Sequence, residues 1–220
     1  MNFETFVLAA AVSDLGGTVP EAADALEFRM DLAEDPLDQL ESASPPVPVI
    51  ATNRTVREGG SASEDGRLEV LERAVTHPGV EAVDVELASI QSGAAQSLLE
   101  TADAHDVSVI ASWHDFEGTP SRDRFRARLR VAAEAGDVGK AAVTADAVDD
   151  VLLLLGITHE LTRAGFRVAT MSMGAIGRHS RVIAPLYGSR IGYAPIDPAD
   201  ATAPGQFDLE TMASLVSTLR

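Results

Sequence analysis

Lys140 is the only lysine in a chain with seventeen Lys and Arg residues. It sits within an apolar segment, Val138-Gly139-Lys140-Ala141-Ala142-Val143. A guanidinium cannot lose its proton at working pH, whereas an amine drawn out of water can, and it then attacks a carbonyl to form an imine. The competing reading is a lysine whose stem lies along apolar surface while its ammonium reaches water. The choice of lysine here and arginine everywhere else favours the imine. His114 closes another apolar segment, Ala111-Ser112-Trp113-His114. An imidazole there is a natural proton carrier near neutral pH. The other histidines, His77, His105, His159 and His179, fall in helix-like or loop segments. No pair of them has metal-ligand spacing, so no metal site is expected.

Charged residues recur at alternate positions in segments that otherwise read as strands. Glu27-Phe28-Arg29-Met30-Asp31 puts Glu27, Arg29 and Asp31 on one face of a strand, and Asp84-Val85-Glu86 repeats the pattern. An interior ion-pair layer would explain them structurally. Burying charge costs several kcal/mol per ion unless it is paired, so a polar substrate pocket is the stronger reason for them. Arg54 and Glu58 follow the third apolar run, just before Gly59-Gly60. Met171-Ser172-Met173-Gly174 leads through Gly177 to Ser180-Arg181. A glycine-bearing turn opening a helix can hold a phosphate, and Arg181 can equally grip a carboxylate with a bidentate fork.

These residues need a scaffold that brings strand ends together. Strands are expected at Phe6–Ala11, Leu26–Asp31, Val47–Thr52, Ala82–Leu87, Val107–Trp113, Val138–Val143, Phe166–Met171 and Arg190–Tyr193. Helices are expected at Val19–Ala25, Pro36–Ser42, Glu64–Thr76, Gly93–Ala104, Ser121–Ala135, Ala147–Ala164, Ala175–Ala184 and Asp208–Leu219, with Ser121 and Asp208 as N-caps. A helix after every strand implies parallel strands with helical crossovers. Eight such units in 220 residues favour an α/β fold of the (β/α)8 TIM-barrel type, one domain over 1–220, rather than an open doubly wound sheet. The segments 59–63 and 194–205 are loops after strands, on the face where barrels carry their sites.

The formal net charge of −17 argues against nucleic acid as a partner. Without cysteine there is no disulfide, thiolate metal site or thiol nucleophile. Met1–Val12 lacks the basic start of a signal peptide, and no apolar run is long enough to span a bilayer. A soluble cytoplasmic protein without membrane association is expected. Thirty-four Asp and Glu residues against one lysine suit a protein adapted to high salt, where screening weakens self-repulsion.

In order along the chain, Glu27-x-Arg29-x-Asp31, Arg54-x-x-x-Glu58-Gly59-Gly60, Asp84-x-Glu86, Ser112-x-His114, Lys140, Ser172-Met173-Gly174 through Ser180-Arg181, and Ala203-Pro204-Gly205-Gln206 resemble the type I 3-dehydroquinate dehydratases. The resemblance implies a hydro-lyase on a (β/α)8 barrel that converts 3-dehydroquinate to 3-dehydroshikimate in aromatic amino-acid biosynthesis, with no cofactor and as a homodimer. It implies that Lys140 forms the imine, that His114 moves the protons and that Glu58 orients His114. Arg181 would hold the substrate carboxylate. Glu27, Arg29, Arg54, Thr202 and Gln206 would meet the hydroxyls and close the site, and Met171 and Met173 would form an apolar wall. Asp31, Asp84, Glu86 and Ser112 would support them from behind. Thr202 stands where the family commonly has serine. Gly139 and Ala141 stand where larger branched residues are usual, which would loosen the pocket. The main alternatives are another Schiff-base barrel, such as a class I aldolase, and a non-catalytic anion-binding barrel.

Overall fold

The computed structural model describes residues 1–219. Its strands are β1 (Val7–Val12), β2 (Ala25–Arg29), β3 (Val49–Thr52), β4 (Val80–Glu86), β5 (Ser108–Asp115), β6 (Val138–Thr144), β7 (Val168–Met173) and β8 (Ile191–Pro195). All eight belong to one sheet in which each strand pairs in parallel with its sequence neighbour and β8 returns to β1. The seam between β7 and β8 narrows to a bridge at Val168 and Ser189, where Arg190 N–H donates to Val168 O at 2.8 Å. The sheet is therefore a nearly closed barrel, as expected from the alternation of strand and helix.

The helices are α1 (Pro36–Ser42), α2 (Arg67–Ala74), α3 (Leu87–Gln91), α4 (Gln96–Ala104), α5 (Arg122–Ala135), α6 (Val148–Arg163), α7 (Gly174–Gly177), α8 (Ser180–Ile183) and α9 (Leu209–Leu219). The helix expected at Val19–Ala25 does not form. Ala23 N–H closes a turn on Pro20 O, and Ala25 already belongs to β2, so β1 connects to β2 without a helix. Leu87, expected to end a strand, opens α3 instead, and Gly93 (φ +80°) separates α3 from α4. The helix expected at Ala175–Ala184 breaks into α7, α8 and a 3-10 turn over Ala184–Tyr187. Asp208 does cap α9, accepting from Thr211 N–H at 2.9 Å.

Period-two alternation sorts every strand into two faces. Outward residues such as Phe28, Val83 and Val85, and on the other flank Trp113, Ala141 and Val143, pack beneath the helices. Inward residues near the strand starts are apolar: Ala9, Ala25, Ile50, Ala82, Ile110, Val138, Ala169 and Ile191. Further along each strand the same face carries Glu27, Thr52, Asp84, Ser112 and Lys140, all buried. An apolar floor thus supports a polar mouth at the C-terminal ends of the strands, the end on which barrels build their sites.

Gly139 and Ala141 do not loosen this mouth. They alternate with inward Lys140 and face α5, where a Cβ on Gly139 would stand 2.5 Å from the Ala133 backbone nitrogen. Glycine there lets helix and strand approach; it does not border the pocket. Among the described residues, no helix is long and apolar enough to cross a membrane.

Candidate active site

The strand register sets the geometry. Glu86 pairs with Ser112, and Ser112 with Lys140, so three side chains from β4, β5 and β6 stand at one level. Thr52 pairs with both Arg29 and Asp84, a row across β2, β3 and β4 that lies one inward residue below Glu86. Lys140 Nζ donates to Asp84 Oδ2 at 2.8 Å and lies 3.8 Å from Glu27 Oε1. The same nitrogen sits 4.0 Å from the ring centroid of Tyr193 on β8. Lys140 is 4% exposed, so its ammonium does not reach out to bulk water as the snorkelling alternative requires.

Asp84 is the hub beneath it. Its carboxylate accepts from Lys140 and from Ser112 Oγ and pairs with Arg54 Nη2 at 2.7 Å. Burial works to raise its pKa, but Arg54 and then Lys140 outweigh burial and hold the carboxyl well below the usual range. Arg54 also reaches Glu86 Oε1 at 3.0 Å, and Arg67 binds Glu86 Oε2 at 2.6 Å from the start of α2. Arg67 Nη2 donates in turn to Ser89 Oγ. This chain of alternating charges fixes Arg54 and Asp84, and through them Lys140. Well-packed apolar side chains would stabilise the barrel as well or better, so the network is better explained by positioning than by stability.

Asp31 lies beyond the end of β2, in a 3-10 turn over Met30–Leu32, and not on the strand with Glu27 and Arg29. It bends back to grip Arg29 through two bonds, to Nε at 2.9 Å and Nη2 at 2.7 Å. That fork leaves Arg29 on the pocket wall.

His114 lies two residues past Ser112, on the same face of β5. Its Nδ1 is 2.8 Å from Glu58 Oε2, and its ring stacks on Phe116 at a 6.4 Å centroid separation. Burial, reinforced by Arg54 and Lys140, lowers its pKa well below 6.5, so the imidazole is neutral. Burial pushes Glu58 up to about 7, against the pull of Arg54. Above that value Glu58 is a carboxylate that can only accept, so Nδ1 carries the hydrogen and Nε2 keeps a free lone pair. This is the state of a general base.

Arg181 differs from the other cations of the pocket. Arg29, Arg54 and Lys140 each have acidic partners, whereas Arg181 has none among the described residues. It is 4% exposed, its Nε finds no acceptor, and its one contact is Nη2 to Pro204 O at a long 3.4 Å. Burial alone lowers its pKa to about 10. A buried guanidinium without a counterion is costly unless an anion arrives.

The loop after β8 closes the far side. Gln206 Oε1 accepts from Thr202 N–H at 2.8 Å and Ala203 N–H at 3.0 Å, which curls the segment into a tight turn. Pro204 O accepts from Gly174 N–H at 3.2 Å. Gly205 is required there: its φ is +80°, and a Cβ would stand 2.5 Å from Gly174 O. The cavity is narrow and open to solvent at its mouth, a site for a small molecule and not for a polymer. Glu27, Arg29, Arg54, Glu58, His114, Lys140, Met171, Met173, Arg181, Thr202 and Gln206 all line it. Asp84, Glu86, Ser112 and Asp31 lie behind that wall, as described above.

Three contributors escape the sequence reading. Tyr193 ends the expected eighth strand and faces inward by the same alternation that places Ile191, so a signal exists for it. Phe116 follows His114 by two residues and lines the cavity. Arg67 carries no signal, because its partner Glu86 is 19 residues away.

The family model described as type I 3-dehydroquinase matches residues 7–220. A protein named 3-dehydroquinate dehydratase from Haloarcula marismortui is 52% identical, over 100% of this chain and 99% of its own length. One of the same name from Halobacterium salinarum is 42% identical, over 100% of both chains. Among solved structures, 3-dehydroquinate dehydratase from Geobacillus kaustophilus superposes with a TM-score of 0.84 at 28% identity, covering 98% of this chain and 91% of that one. The type I enzyme from Clostridium difficile, with covalently modified comenic acid, gives 0.82 at 26% identity, covering 98% and 92%.

Proposed function

Because this chain belongs to the type I 3-dehydroquinase family, a family of hydro-lyases, we propose that it dehydrates 3-dehydroquinate to 3-dehydroshikimate through an imine on Lys140. The observation that carries this reading is the meeting of Lys140 and the His114–Glu58 pair at one cavity whose only unpaired lining cation, among the described residues, is Arg181. The substrate is a small ring with a ketone, a carboxylate and hydroxyls. Arg181 takes the carboxylate through its fork, which replaces the weak contact to Pro204. Glu27, Arg29, Arg54, Thr202 and Gln206 meet the hydroxyls, and Met171 and Met173 hold the apolar face of the ring.

Lys140 attacks the C3 ketone, and loss of water gives a protonated imine. The imine draws electrons from C2, so His114 Nε2 removes a C2 proton to leave an enamine instead of a bare carbanion. The resulting imidazolium is stabilised by Glu58 at Nδ1. It then gives its proton to the C1 hydroxyl, which departs as water. Hydrolysis of the imine consumes one water, frees the product and restores Lys140, so the net change is loss of one water. An aldolase would share the lysine but has no need of an unpaired carboxylate-binding Arg181. A non-catalytic barrel would not need the His114–Glu58 pair.

The same reading extends to a place in aromatic amino-acid biosynthesis, to the cytoplasm, to a homodimer and to a high-salt setting. The last is supported by the −17 charge and by the halophilic relatives. The test of the activity is turnover of 3-dehydroquinate by the purified chain, followed by the absorbance of the conjugated product. Steady formation of 3-dehydroshikimate by wild type and its loss in Lys140→Arg support the proposal. Equal turnover by the two overturns it.

A further inference from the structure

Tyr193 lies beneath the reacting nitrogen, and its side chain makes no hydrogen bond. The residue is 4% exposed, and its hydroxyl finds no partner among the described residues. What it offers Lys140 is the face of its ring, at 4.0 Å. The ring has room because its register partner on β1 is Ala9. Ala9 and Ala11 share the inward face of that strand, and neither is large enough to displace the ring. The alanine-rich β1 has no other evident task at the site.

An ammonium has three N–H donors; here one bonds Asp84 at 2.8 Å, while Glu27, at 3.8 Å, is an ion-pair partner beyond hydrogen-bond reach. A protonated imine on the same nitrogen keeps the positive charge and only one N–H. That one N–H can keep the bond to Asp84. Attraction to an aromatic face depends on the charge and not on the number of N–H groups. The neutral amine that attacks and the neutral carbinolamine that follows lack that charge, so the ring favours the protonated imine over both.

We propose that the ring face of Tyr193 stabilises the protonated imine on Lys140 and so sets how much of the enzyme is held as that intermediate. This rests on the imine reading above. Electron density in the ring is the active property, so it can be varied at nearly constant shape. The experiment compares wild type, Tyr193→Phe, a series carrying progressively fluorinated phenylalanine at position 193, and Tyr193→Leu. Each is saturated with 3-dehydroquinate, quenched with borohydride and read by intact mass, with kcat and KM measured in parallel. Melting temperatures confirm that each variant is folded.

Trapping should survive in Tyr193→Phe and fall stepwise with fluorination, by roughly 2- to 30-fold at full fluorination. Tyr193→Leu should match the fully fluorinated protein. The loss should appear in kcat more than in KM, since the ring acts on the imine and not on the bound substrate. A flat fluorination series overturns the proposal, because a ring that only fills space tolerates fluorine. So does failure of Tyr193→Phe to trap while wild type does, which would make the hydroxyl the active group. If wild type itself is not trapped, the imine reading fails first, and that result is distinct from either of the others.

Discussion

Replacing Glu58 by glutamine should abolish the acid limb of the enzyme's pH profile. In wild type, burial raises Glu58 to about 7 and keeps His114 neutral. As pH falls through that value Glu58 gains a proton and no longer accepts from Nδ1–H. The favoured arrangement becomes Glu58 O–H donating to Nδ1, with hydrogen on Nε2, and the base is lost. The pair shares these protons, so the apparent value belongs to both residues. log(kcat/KM) should then fall with unit slope below about pH 7, a loss of roughly 100-fold by pH 5. The carboxamide in Glu58→Gln would keep a carbonyl acceptor where the carboxylate now stands 2.8 Å from Nδ1, and it cannot titrate. It also cannot support the imidazolium with a full charge. A charge-assisted bond exceeds a neutral one by about 1–1.5 kcal/mol, so the plateau should drop roughly tenfold. The Glu58→Gln profile should be low and flat from pH 8 to pH 5, and it should cross the wild-type profile near pH 6. Steady-state kinetics in constant-ionic-strength buffers would show this. An acid limb near pH 7 that survives in Glu58→Gln would assign the titration to another group and refute the reasoning.

Three further outcomes follow from the site and the surface. His114→Ala should lose about 10²–10⁴-fold in kcat while borohydride still labels the protein with substrate present, because the imine needs no imidazole to persist; normal turnover would place the proton transfers elsewhere. Arg181→Ala should raise KM by at least about tenfold with a smaller effect on kcat, since the carboxylate contact is made in ground and transition states alike; an unchanged KM would move the carboxylate site. With a charge of −17, the melting temperature should rise steeply across a potassium chloride series, as the Debye length shrinks from about 30 Å at 0.01 M to about 3 Å at 1 M; a salt-independent melt would remove the high-salt reading and leave the chemistry untouched.

Much of the barrel is legible in the sequence because its strands are short apolar runs, buried on both faces and polar at the mouth. Glu27 with Arg29, Asp84 with Glu86, and Ser112 with His114 are pairs spaced by two, and the register carries each pair to the mouth. The inward direction of Lys140 follows from the same alternation. Sequence and structure part where local pattern yields to tertiary context. Val19–Ala25 has helical composition, but Pro20 closes a turn and β2 claims Ala25. Asp31 continues the alternation on paper, yet the chain leaves the strand after Arg29 and reaches the same guanidinium by turning back. Gly139 reads as a loosened pocket because sequence does not state which face of a strand meets a helix. Arg67 is invisible because its role exists only once α2 and β4 are side by side.

The central claim is that Lys140 forms the covalent bond to substrate. Borohydride added during turnover of 3-dehydroquinate, followed by intact mass and peptide mapping, tests it directly. Lys140 is the only lysine, so the side-chain amine to be labelled is unique, and the N-terminal amine is the sole competing primary amine. The account predicts irreversible inactivation, a mass gain of one reduced adduct mapped to Lys140, and no adduct in Lys140→Ala. Full activity after borohydride, with Lys140 recovered unmodified, would contradict it.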